Sequence, residues 1–216
     1  MMLPSYFFYI TISILLNDNY YVKCMNILEG GTDMKREREK EIIDKMLFTH
    51  KVSQLSKALW KTVEKDWQNW IKPYDLNINE HHILVIIRNL EKATISEVSQ
   101  YGVMHVSTVF NFAKNLEKRG YLTMPKSKFD KRNTYLELTE KGKEVLYETY
   151  KGYKESDDRI YDAASNYQEL MFDLPPFTEL KFIVAQIYGA DFITHLEKSH
   201  DDLLKILLDE NNKDNA

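Results

Sequence analysis

From residue 35 to residue 70, Ile42, Ile43, Met46, Leu47, His50, Leu55, Leu59, Val63 and Trp67 recur at steps of three and four. That is the period of one helical face, and no Gly or Pro interrupts it before Pro73. One small domain needs less helix than this for its own core. The segment therefore reads as a candidate dimer arm. Ordinary core packing is the alternative, and both can hold.

The next stretch changes rhythm. Asn77 and Glu80 have capping-box spacing and open a helix whose Ile83, Leu84, Ile86, Ile87 and Leu90 are apolar enough for a central buried position. Thr94 and Glu97 repeat the capping pattern and start a short helix that ends near Gly102, where a glycine is expected to supply the positive φ of a tight turn. A third helix runs from about 106 to 119 and stops at Gly120. Residues 121–124 and 135–138 alternate as strands joined by a basic hairpin, 126–133. Thr139 caps a helix running to about 153. Two further helical segments, 157–172 and 178–208, flank Pro175 and Pro176, with a break expected near Gly189. The polar end, 209–216, reads as disordered.

Two short helices joined by a turn, followed by strand, basic turn and strand, spell a winged helix-turn-helix. The predicted fold class is mainly α with a two-stranded wing. The organisation is an N-terminal dimerisation helix at 34–75, a DNA-binding domain at 76–153 and a C-terminal helical dimerisation region at 154–208.

Composition refines this picture. With 216 residues, 44% of them hydrophobic and 29% charged, the chain suits a soluble protein of one domain, or of one domain plus a dimerising extension. The net charge is −4, so there is no global basic signature. Between 105 and 132, however, seven basic side chains face two acidic ones. Such segregation implies a basic face on an acidic body, although a solvated helix and loop would give the same count. Cys24 is the single cysteine, which excludes an intramolecular disulfide and a multi-cysteine zinc site and fits a reducing cytoplasm. The six histidines lack metal-ligand spacing, and no cofactor is expected. No phosphate-binding glycine loop, activated nucleophile or paired carboxylates stand out, so an enzyme is not expected.

Residues 1–33 differ from the rest. Their apolar run, 6–16, is too short to span a bilayer and lacks the basic start of a secretory signal. A membrane anchor or packing arm is one reading. Back-translation favours another: the codons for Glu29, Gly30 and Gly31 can contain a ribosome-binding consensus, two codons before Met34. Met34 is thus the expected natural start and 1–33 a non-native or disordered extension. No membrane partner is expected.

The chemistry concentrates on the third helix. At about 100° per residue, Val109, Phe112, Ala113 and Leu116 share one arc, while Ser107, Asn111, Lys114, Asn115 and Lys118 share the opposite one. That outer arc has no acid near its centre. Asn can bond adenine bidentately, Ser suits base or phosphate, and Lys reaches guanine or phosphate, so the set suits a major groove. Phe110 lies on the flank, placed to touch a thymine methyl or to pack on a neighbouring helix. The hairpin offers Lys126, Lys128, Lys131 and Arg132. An Arg at a wing tip can enter a narrow A·T-rich minor groove, with Asp130 placed to orient its guanidinium. A solvated basic loop is the plain alternative.

Asp130, Arg132, Leu136, Leu138, Thr139 and Gly142 match every marked position of the wing signature D-x-R-x-x-x-L-x-L-T-x-x-G of MarR-type regulators, which the chain resembles over residues 35–153. Ser107, Thr108 and Val109, with Leu116, Glu117 and Gly120, are similar to that family's recognition helix. The aromatic-rich stretch 101–112 and the stretch 187–192 resemble its Hpr (ScoC) subgroup of protease-production regulators. The resemblance implies a homodimeric repressor of exoprotease and sporulation genes that binds double-stranded DNA at an inverted-repeat operator. It implies dimerisation through the N- and C-terminal helices, Asn111 and its neighbours in the major groove, and Arg132 in the minor groove. Many family members carry Arg where this chain has Asn111 and Asn115, so base preference is expected to lean towards adenine. From Met34 onward there is no thiol for peroxide sensing, and no pocket for a small-molecule effector is legible. The competing reading is a winged-helix protein-interaction module, against which the basic outer face and Arg132 both weigh.

Overall fold

A computed structural model describes residues 34–126, 134–172 and 174–214. They divide into two units, with the boundary between Ala58 and Leu59, inside the first helix. The extension 1–33 and the wing-tip residues Lys128, Asp130, Lys131 and Arg132 lie outside the described residues.

Helix α1, Met34–Ile71, is 38 residues long, as the unbroken period predicts. In the first unit its apolar stripe is uncovered. Ile42, Ile43, Met46, Leu47, Phe48 and Leu55 are each at least 50% exposed, so the amphipathic face is uncovered among the described residues.

The second unit holds the end of α1 and the rest of the chain. A 3₁₀ turn, Lys72–Tyr74, leads to α2, Ile78–Leu90, then β1, Lys92–Thr94, α3, Ile95–Tyr101, and α4, Val106–Lys118. Next come β2, Leu122–Thr123, β3, Tyr135–Leu138, and α5, Glu140–Lys151. After the turn Glu155–Asp157 the chain forms α6, Arg159–Met171, α7, Thr178–Tyr188, and α8, Ala190–Asp214. Gly189 separates the last two, as expected. Helix α8 continues through residues 209–214, where polar composition alone indicates disorder.

Both capping boxes form. Asn77 accepts from the Glu80 amide at 3.0 Å while the Glu80 carboxylate accepts from the Asn77 amide at 3.2 Å, and Thr94 and Glu97 exchange the same pair. The core gathers α2, whose Ile83, Leu84, Ile86 and Ile87 are buried, with Ile71, Val98, Val109, Ala113, Leu116, Leu136 and Leu146. The turn after α3 departs from expectation. Gly102 has φ −85°, and the left-handed residue is its neighbour Val103, at φ 50°. A side chain at Gly102 would collide with the Met104 methyl and approach the Val98 carbonyl to 2.8 Å, so close packing requires the glycine there.

The sheet has three strands rather than two. β1 pairs with β3 through Ala93 opposite Leu136, and β2 pairs with the other edge of β3 through Leu122 opposite Leu138. All pairs are antiparallel. Three residues, one of them buried, carry too little alternation to announce β1. An isolated bridge, Lys126 to Thr134, prolongs the wing beyond β2.

Buried His81 joins α1, α2 and α5. The Trp67 indole donates to its Nδ1 at 3.1 Å, and its Nε2 lies 3.0 Å from the Thr149 hydroxyl, which itself donates to the Leu146 carbonyl. A donor facing Nδ1 leaves the proton on Nε2, so the network fixes one neutral tautomer. Burial, then neighbouring His82, pushes the His81 pKa down to about 4. Trp70 stands edge-on to the same ring and donates to the Thr149 carbonyl at 2.7 Å.

Candidate nucleic-acid interface

Helix α4 is built as a two-faced rod. Val109, Ala113 and Leu116 are fully buried, and Phe112 packs half-buried beside them. On the opposite side Ser107, Asn111, Lys114 and Lys118 are exposed, and Thr108 is half-buried on the flank. The nearest acid, Glu117, points towards the wing, where its carboxylate accepts from the Met124 amide at 3.2 Å. The outer face is therefore free of negative charge at its centre. Phe110 sits at the edge of that face, 36% exposed, with the Lys114 ammonium 4.3 Å from its ring centroid. This cation–π contact keeps Lys114 drawn over an aromatic surface until a better anion is offered.

The wing is fastened to α4 at its base. The Thr139 hydroxyl donates to the Gly120 carbonyl at 2.7 Å and accepts from the Gly142 amide at 3.0 Å, and the Thr139 amide donates to the Tyr121 carbonyl at 3.1 Å. A Cβ at Gly142 would run into the Tyr121 carbonyl, so α5 can start against that backbone only with glycine. Leu136 is fully buried and Leu138 packs on the core. The described half of the wing signature thus locks the end of α4, the strand β3 and the start of α5 together. Lys126 is exposed at the bridge that opens the hairpin.

One predicted reader is engaged elsewhere. The Asn115 amide, although exposed to solvent, donates at 2.5 Å to Glu80, a carboxylate only 3% exposed. Arg119 donates to the same carboxylate at 3.4 Å, lies 3.5 Å from Asp75, and lays its guanidinium over the Tyr121 ring. Sequence patterning places Glu80 only as a cap partner and Arg119 only as a charge. The sole signal for their meeting is that a carboxylate sits among apolar helix positions.

A second feature escapes sequence altogether. A cavity of about 340 Å³ opens between the end of α1 and residues 152–160, walled by Val63, Trp67, Trp70 and Tyr153. Its three acids are engaged: Asp66 pairs with Arg159 at 2.8 Å, Asp157 accepts from the Ser156 hydroxyl at 3.3 Å, and Asp158 caps α6 while accepting from the Tyr153 hydroxyl at 2.7 Å. Among the described residues no helix is long and apolar enough to cross a membrane.

A helical hairpin whose second helix presents a basic, amide-bearing face, with a β wing at its end, defines a winged helix-turn-helix regulator. Comparison with known proteins places it further. Residues 76–134 match the MarR family. The HTH-type transcriptional regulator Hpr of Bacillus cytotoxicus is 53% identical over 163 residues, covering 76% of this chain and 88% of the relative. Hpr of Halalkalibacterium halodurans is 52% identical over 164 residues, covering 76% of this chain and 85% of the relative. A solved structure of a mutant E. coli MarR, complexed with operator DNA, aligns with a TM-score of 0.46 at 18% identity, over 68% of this chain and 95% of that one. The chain belongs to the MarR family, alongside the Hpr transcriptional regulators. That is a class of DNA-binding regulators and not of enzymes.

Proposed function

We propose that this protein is a homodimeric cytoplasmic repressor that reads an inverted-repeat operator through α4, with Asn111 as the central base reader and Ser107, Thr108, Phe110, Lys114 and Lys118 around it. The observation that carries the reading is the acid-free outer face of α4, set opposite a fully buried stripe in a chain of the Hpr group. The wing contributes Lys126, Lys128 and Lys131 to phosphates and Arg132, oriented by Asp130, to the minor groove. Dimerisation uses α1, whose apolar stripe is uncovered among the described residues, together with the C-terminal helices. Exoprotease and sporulation genes as targets follow from the resemblance to the Hpr subgroup. In vitro selection with the pure protein tests the proposal. The expected result is a two-fold symmetric consensus with half-sites about one helical turn apart. Retention of all duplexes equally would reject sequence-specific repression.

A further inference from the structure

We infer that Glu80 is a positioning residue for DNA reading: it sets the roll of α4 about its own axis through Asn115 and Arg119, and Asn115 is a strut rather than a base reader. The inference rests on the proposed reading of DNA by α4. Glu80 is itself held fast. It is the third residue of α2, its carboxylate takes the Asn77 amide at 3.2 Å as part of the capping box, and its side chain is 4% exposed. Against that fixed point Asn115 donates at 2.5 Å and Arg119 at 3.4 Å. Both donors come from the last turn of α4 and its cap.

The geometry explains why such a strut is needed. The buried stripe of α4 is made partly of small side chains, Val109 and Ala113 beside Leu116, with Phe112 half-buried at its margin. Small side chains make shallow knobs, which fix the roll of a helix less firmly than long ones do. Asn115 stands off that stripe, one ridge position beyond Asn111, since residues four apart are neighbours on a helix surface. Fixing Asn115 therefore fixes the azimuth of Asn111. With side chains about 5–6 Å from the axis, a roll of about 10° carries their tips about 1 Å. That exceeds the width of the hydrogen-bond distance range, so an unbraced helix would misalign every base contact together. Asn115 keeps a second N–H and its carbonyl oxygen, but turning both onto an adenine edge would draw its amide off Glu80. Leaving the buried Glu80 carboxylate without it would strand a desolvated acceptor.

The test compares selected and random duplexes for the full-length wild type, Asn111→Ala, Asn115→Ala, Glu80→Gln and the double variant of the last two, with melting temperatures alongside. Asn115 is on the surface, so Asn115→Ala avoids the folding risk of altering a buried carboxylate. The expected result for Asn115→Ala and for Glu80→Gln is a loss of roughly 2- to 30-fold on the selected duplex, preference relaxed at several adjacent positions at once, and an unchanged salt slope. The double variant should lose no more than either single one, because both cut the same strut. Asn111→Ala should relax one position per half-site. Relaxation confined to one position by Asn115→Ala would make it a base reader and overturn the inference. So would lowered melting temperatures with unchanged preference, or additive losses in the double variant. A wild type without any duplex preference would instead overturn the proposed function itself.

Discussion

Acidification should loosen the joint at His81. The ring is neutral in the fold because Trp67 donates to Nδ1 and the Nε2–H faces Thr149, so a second proton would have to point at an indole donor. Its pKa is about 4 in the fold against 6.5 in an open chain. The folded ring therefore binds its proton more weakly than the unfolded one. Stability is fully present above about pH 6.5 and is lost as pH falls towards 4. For these two values the loss is about 2 kcal/mol by pH 5 and about 3 kcal/mol by pH 4. Burial also lowers His82 and His195, whose contributions carry the same sign. Urea unfolding of wild type and His81→Gln at a series of pH values separates them. The gap between the two curves should shrink by about 2 kcal/mol from pH 7.5 to pH 5. Direct titration of the His81 ring by NMR should give a midpoint near 4. Parallel stability curves, or a ring titrating above about pH 6, would refute the reasoning.

Asn111→Ala should cost about 1–3 kcal/mol on the selected operator and little on random duplex. Lys126→Ala should weaken both alike and lower the salt slope by about one unit, as read by fluorescence anisotropy across ionic strengths. Gly142→Ala puts a methyl group into the Tyr121 carbonyl and should destabilise by about 1–3 kcal/mol in thermal melts; an unchanged melting temperature would mean that α5 can slide away from that backbone. Leu47→Asp places a charge on the uncovered face of α1. It should convert a dimer to a monomer by light scattering at micromolar concentration, while wild-type monomer under those conditions would remove the arm from the account.

Where sequence spoke clearly, the cause was local. The helix starts at Asn77, Thr94 and Thr139 follow from side chains that satisfy amides three residues on, and each forms as its spacing predicts. The two faces of α4 follow from period alone. What stayed hidden depends on partners distant in the chain. β1 exists because β3 offers it an edge, with Ala93 set against Leu136 far along the sequence. Periodicity puts Asn115 on the outer arc correctly but cannot see Glu80, 35 residues earlier. Gly102 invited a reading in terms of φ, whereas the Met104 side chain and the Val98 carbonyl leave no room for a Cβ.

The arrangement around His81 has an optical consequence. Two of the three tryptophans, Trp67 and Trp70, have their indole N–H groups bonded at this one joint, while Trp60 stands about half exposed on α1. Native emission is therefore a sum of a bonded, shielded pair and a wetter single ring. Substituting Trp60 by Phe leaves light that originates only where the end of α1 meets α2 and α5. The protein then carries its own dye beside the helices that support α4, and the response of that joint to added DNA can be followed in real time without a label.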